Sequence, residues 1–455
     1  MSNNLFSDFD EVSTKQWKQK IQFDLKGADY NKTLIWDTNE GIHVKPFYNK
    51  EDLEHVQNSI SYNSSWKICQ SIFVADTKKS NQKALDVFQK GAESIKFIVP
   101  NNTISIKDLM SGIDASETEI HFVFQFLDSE FVKQVSSIST NNLIHIHTDI
   151  IGNLAKTGNW YQSLNEDHIQ FDNIVKDTST FSIDITLYQN AGATMVQQLA
   201  YALAHTNEYL NHLDKVVTNE TKQSIKTIFK VSIGTNYFFE IAKLKALRLL
   251  YKTLTTEYGF NTDCFIFAIP TKRNKTLYDY NTNMLRTTTE CMSAILGGAN
   301  TGCYLPYDAI YHKDNEFGER IARNQLLILK NESYFDKVNN PSDGAYYIES
   351  LTNQLAEKAL SIFKDIEENG GFLHQLKQGI IQKKIKESAA KEQELFNTGE
   401  DILLGTNKYQ NPNDKMKHEL ELYPFVKTKK RKTLIEPIIA RRLPETNEQE
   451  RLKKE

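Results

Sequence analysis

The sequence predicts an α/β protein built on a (β/α)8 TIM barrel, with an extended N-terminal arm and a helical C-terminal extension. Three observations point there. Short β-branched and aromatic runs recur at residues 70–75, 95–99, 119–126, 143–147, 181–187, 228–233, 264–269 and 303–306. Helical patterns lie between most of them, clearest at 80–90, 191–205, 237–251, 287–296 and 319–329. Strands alternating with helices imply a parallel sheet with right-handed crossovers, and eight such units favour a closed barrel over an open doubly wound sheet.

Residues 1–62 form the arm. Trp17, Ile21 and Leu25 are spaced along one helical face, and Gly27 ends that helix. Extended pieces follow around 34–36 and 44–48, with a turn at Glu40–Gly41 between them and Pro46 arguing against a central strand. An arm so rich in large apolar residues, with so little core of its own, must lie on its own domain or on a partner. Trp36, Phe47 and Tyr48 are the candidate interface anchors, since aromatics dominate such contacts.

The barrel is expected over 63–340, with the crossover after His147 the weakest helix. A helical extension over 341–400 comprises 349–368 and 373–395, with the charged stretch 384–394 solvated. Residues 401–455 read as a charged tail or truncated linker.

Net charge is −4, which gives no ground for a nucleic-acid partner. No apolar run approaches the ~20 residues that span a bilayer, and the acidic start lacks a signal-peptide pattern. Cys69, Cys264, Cys291 and Cys303 are far apart and read as reduced thiols of a cytoplasmic protein.

Few residues advertise chemistry. His145, His147 and Asp149 alternate onto one face at the end of the fourth strand, where barrel chemistry sits. No second cluster completes a ligand set, so no metal is expected, and hydrogen-bonded pocket or interface residues are the plainer reading. Gly297–Gly298 reads as a helix-to-strand turn. Arg320 and Arg323 could hold an anion, but structural ion pairs are favoured. The basic run 427–432 reads as solvated or partner-facing.

Several stretches resemble the methylmalonyl-CoA mutase family, in family order. They are DLKGADYNKTLIWDTNEGIHVKPFY (24–48), NAGATMVQQLAYALAHTNEYL (190–210), FFEIAKLKALRLLY (238–251), YDYNTNMLRTTTECMSAILGG (278–298), ERIARNQLLILKNES (319–333) and GAYYIESLT (344–352). The resemblance implies a coenzyme-B12-dependent system interconverting methylmalonyl-CoA and succinyl-CoA. In that family a barrel threads the CoA chain along its axis, and a separate domain binds cobalamin through an Asp-x-His-x-x-Gly loop. No such motif occurs here, so this chain is expected to have no cobalamin-binding domain.

The family's barrel positions are also altered. Where catalytic subunits carry Trp-Thr-Ile-Arg-Gln-Tyr, this chain has Cys69 for the arginine and Ser71 for the tyrosine. Thr186 and Leu187 replace a Tyr-His pair, and Phe267 falls in the altered seventh-strand motif. His147 matches a substrate-contacting glutamine and, with Lys272, is the candidate for a residual ligand site. Phe122, Phe124, Phe126, Phe265 and Phe267 share strand registers that would fill the axis if they faced inward. The resemblance therefore implies a small subunit without catalytic residues of its own. Its partner would be a large subunit carrying the chemistry and adenosylcobalamin. The alternatives are an active barrel served by a separate cobalamin-binding chain, or a CoA-ester-binding regulatory module.

Overall fold

The computed structural model describes residues 7–53, 65–138, 143–427 and 431–455. In the arm, β1 (Trp36–Asp37) pairs antiparallel with β2 (His43–Val44). The barrel strands are β3 (Lys67–Phe73), β4 (Ser94–Val99), β5 (Glu119–Phe124), β6 (Ile144–His147), β7 (Thr180–Asp184), β8 (Lys226–Ile233), β9 (Cys264–Pro270) and β10 (Thr301–Cys303). Their order is β6-β5-β4-β3-β10-β9-β8-β7, and every ladder is parallel. Each strand thus lies beside its chain neighbours, and the last pairs with the first. Ser182 N on β7 donates to the Thr148 carbonyl just past β6 at 3.0 Å and closes the ring. This is the expected (β/α)8 barrel.

Alternation divides each strand between two environments. On β4, Ile95, Phe97 and Val99 pack outward with Ala84 and Val87 of the helix Thr77–Gln89. Lys96, of the opposite parity, lies over the Phe267 ring on β9, 5.5 Å from its centroid. On β5 the phenylalanines also face outward. Phe122 stacks on Phe97 at 5.7 Å, and Phe124 packs edge-on to Phe131 at 5.5 Å. Phe122, Phe124 and Phe126 therefore do not fill the axis. Glu119 and His121 occupy the inward register.

Other boundaries shift for identifiable reasons. The fourth crossover is two helices, Ile150–Thr157 and Leu164–Thr178, separated at Gly158, whose φ is +80°. That break interrupts the apolar period and made the unit hard to see. β7 ends at Asp184, so Thr186 and Leu187 stand on the short helix Thr186–Asn190 and not on a strand. β10 starts earlier than expected and stops at Cys303. Residues 373–395 split into Phe372–Lys377 and Ile380–Thr398 at Gly379, whose φ of +77° suits glycine.

The helix Tyr346–Glu368 lies across Met195–Leu213 and Tyr237–Tyr258. Lys245 anchors it through Glu349 at 2.6 Å and Asp343 at 2.9 Å. The segment beyond residue 400, expected as a charged tail, packs on the barrel instead. Leu434 N and Ile435 N donate to the Gly158 carbonyl, Ile438 N to Ala155, Arg441 N to Asn190 and Leu443 N to Arg273. Ile435 and Ile438 enter the main core, and Arg442 is buried with Nη1 on the Lys275 carbonyl at 2.9 Å. Beside these few apolar residues, the strap pairs its backbone with the segments that follow β6, β7 and β9. Of the basic run, residues 428–430 lie outside the described residues. Arg431 donates to the Thr157 carbonyl at 2.8 Å.

The arm is tied to the barrel at Glu40. Its carboxylate accepts from Met195 N and Val196 N, both at 2.8 Å, at the N-terminus of the helix Met195–Leu213. The three expected anchors all touch their own chain. Trp36 meets Phe239 edge-on at 5.8 Å, Phe47 meets Trp17 at 6.1 Å and Tyr48 lies on Tyr347 at 5.3 Å. The helix Thr14–Asp24 buries none of its residues. Phe9, Trp17, Phe23 and Trp36 leave roughly half or more of their surface exposed.

Candidate functional site on the barrel axis

In parallel barrels the inward side chains stack in layers, and chemistry belongs to the C-terminal mouth. Here Cys69 on β3, Ile228 on β8, Phe267 on β9 and Cys303 on β10 form one packed layer, and none exposes more than 1% of its surface. His121 meets the Phe267 ring at 4.5 Å and His147 meets it at 5.4 Å. Phe267 therefore occupies the axis, walled by sulfur, imidazole and an isoleucine.

Cys69 and Cys303 are direct register partners on neighbouring strands. Burial raises the Cys69 thiol, with Cys303 beside it adding to the effect. A hydrogen bond from Cys69, aided by Lys96, draws the Cys303 thiol below the usual thiol range. Ser71 is half-buried two residues beyond Cys69. The Thr186 hydroxyl bonds the Asp184 carboxylate, which pairs with Lys230 at 2.6 Å. Leu187 is buried in the main hydrophobic core.

The histidines of β6 are both buried. His147 Nε2 lies 3.0 Å from His121 Nδ1, and His121 Nε2 lies 2.9 Å from Glu119. Thr301 donates to the same Glu119 oxygen at 2.6 Å. Burial alone would raise the Glu119 carboxyl, but His121, His145 and Thr301 prevail and hold it at about 2. Burial pushes His145 down to about 3, and His147 also falls well below the usual histidine value.

The expected trio of His145, His147 and Asp149 does not form. β6 ends at His147, and Asp149 turns away to cap the helix Ile150–Thr157. Its carboxylate accepts from Gly152 N, Asp184 N and the Tyr209 hydroxyl. The group nearest a ligand set is instead Glu119, His121 and His145. Glu119 and His121 went unnoticed because they lie inside an apolar run, although their parity matches that of an inward face.

Lys272 is exposed on the rim, its backbone N–H on Asn190 at 3.0 Å. It lines a cleft of about 290 Å³ with Arg273, Tyr423 and Phe425. His147 points into the axis, so the two candidates occupy different surroundings. Arg323 donates to Gln70 at 3.0 Å, and Gln70 in turn bonds Glu319. Arg320 lies over Phe317 with 5.6 Å to the ring centroid. Arg323 thus ties the last unit to β3 through Gln70, and among the described residues neither arginine makes the carboxylate pair expected; Arg320 stays exposed on the helix surface. Gly297 and Gly298 make the helix-to-strand turn, Gly298 with φ +89°.

A chain with this barrel and this altered axis matches a known family over most of its length. Residues 137–454 fit the profile described as methylmalonyl-CoA mutase. The methylmalonyl-CoA mutase small subunit of Porphyromonas gingivalis is 34% identical over 90% of this chain and 71% of its own length. The small subunit of Streptomyces virginiae is 23% identical over 89% of this chain and 72% of its own. The mutase of Cereibacter sphaeroides is 29% identical over 87% of this chain, which spans only 64% of that protein. The chain belongs to the methylmalonyl-CoA mutase family.

Proposed function

We propose that this chain is the non-catalytic small subunit of a heterodimeric adenosylcobalamin-dependent methylmalonyl-CoA mutase. The large subunit carries out the interconversion of methylmalonyl-CoA and succinyl-CoA and holds the cobalamin. The observation that carries the reading is Phe267, fully buried on the axis where the family lines its substrate site. Cys69, Ser71 and Leu187 stand where the family has an arginine, a tyrosine and a histidine. Loss of one preorganised donor typically costs about 3 kcal/mol of transition-state stabilisation, so several losses together oppose the native reaction. The strap of residues 431–443 runs across the loops at the mouth and supports the same reading. The resemblance to proteins named small subunits supplies the partner. The arm, with its exposed aromatics, is the surface offered to it.

The test is to assay the chain alone and with the large subunit, using methylmalonyl-CoA and adenosylcobalamin. Activity only in the mixture, with no cobalamin retained by this chain, is expected. Turnover that survives replacement of the large subunit's own catalytic histidine would overturn the proposal.

A further inference from the structure

Three donor groups converge inside the barrel from two neighbouring strands. Glu119 and His121 are two residues apart on β5 and so share its inward face. His145 on β6 is the register partner of His121, and the two imidazoles stack with centroids 4.7 Å apart. One Glu119 oxygen lies 2.9 Å from His121 Nε2, and the other lies 3.9 Å from His145 Nε2. All three donor atoms lie within 4.8 Å of one another. A tetrahedral ion with bonds of ~2.0–2.1 Å holds its donors about 3.3 Å apart, a spacing these separations bracket.

His145 supplies an independent observation. It is 7% exposed, yet neither of its ring nitrogens has a hydrogen-bond partner among the described residues. Its Nε2 is aimed at Glu119 from 3.9 Å, too far for a hydrogen bond. A cation between the imidazole and the carboxylate would give the ring nitrogen a partner and take up the charge of the carboxylate. The surroundings are those that orient metal ligands. Thr301 holds Glu119 from one side, and His147 fixes the His121 ring through Nδ1. Phe265 lies 4.6 Å from the His145 ring and Phe267 lies 4.5 Å from His121, an apolar wall around the donors.

We propose that Glu119, His121 and His145 bind one divalent transition-metal cation, with Zn²⁺ the best match to two imidazoles and a carboxylate. The ion would tie β5 to β6, the strand that joins β7 through the closing seam. Its role is structural, and it is independent of whether the barrel is catalytic.

The tag-free full chain is stripped with a chelator and dialysed against Zn²⁺, and bound metal is measured by mass spectrometry. One equivalent is expected, with a Zn²⁺-dependent rise in melting temperature. His145→Phe keeps the stacked ring against Phe265 but removes the donor, and should weaken binding by about tenfold or more. His43→Ala, at an exposed pair with Asp37, should leave binding unchanged. Retention of no Zn²⁺ by the wild type, or equal retention by His145→Phe, overturns the proposal. Should His145→Phe fail to fold, Co²⁺ absorption of the wild type decides. An intense tetrahedral spectrum supports the site, and a weak octahedral one refutes it.

Discussion

Replacing Phe23 with alanine should weaken the complex with the large subunit and leave the chain's own stability unchanged. Phe23 is 78% exposed and stands on a helix that buries none of its residues, so the fold draws little from it. The helix keeps its Ser13–Gln16 capping box whatever occupies position 23. Burying a phenylalanine fully is worth about 1.5–3 kcal/mol. Covering the exposed three quarters therefore contributes about 1–2 kcal/mol, or roughly five- to thirty-fold in affinity. Titration calorimetry with the large subunit reads the affinity, and thermal melting of the free chain is the control. Trp17, 49% exposed at a neighbouring part of the arm, should give a smaller loss. Unchanged affinity in Phe23→Ala, Trp17→Ala and the double variant would refute the arm as the docking surface.

Three further outcomes follow from the interior. Lys275 and Glu290 form a fully buried pair at 2.8 Å, and burial draws both towards their neutral forms. Lys275→Met strands the carboxylate and should cost about 3–5 kcal/mol in urea unfolding, whereas adding Glu290→Leu should recover most of that. Burial works against the Asp184 carboxylate, but Lys230 beside it prevails and holds its pKa below the ordinary 3.8. The stabilisation is full above that value and is lost as pH falls through the lower folded value, so Asp184→Asn should differ most from wild type near neutrality and converge with it in acid. Glu40→Ala removes both acceptors from Met195 N and Val196 N, so hydrogen exchange should rise in the arm and at that helix start while β3–β10 stay protected.

The strand positions were legible in the sequence because parallel strands buried on both faces read as near-continuous apolar runs. The same property hid which face was inward. A run such as Ile120, Phe122 and Phe124 looks equally suited to the axis or to the helices, and only closure of the ring sent it outward. That choice placed Glu119 and His121 inside and paired His121 with His145. Sequence alternation placed His145 and His147 on one face correctly, but Asp149 lies past the end of β6, where period two no longer applies. The alterations at Cys69, Ser71, Leu187 and Phe267 were visible by resemblance alone. The consequence at Cys69 and Phe267, an axis layer shut to solvent, required the register that brings β3, β8, β9 and β10 together. The strap of residues 431–443 was invisible in advance for another reason. Its few apolar anchors are joined by backbone bonds to distant segments, and backbone groups leave no trace in side-chain pattern.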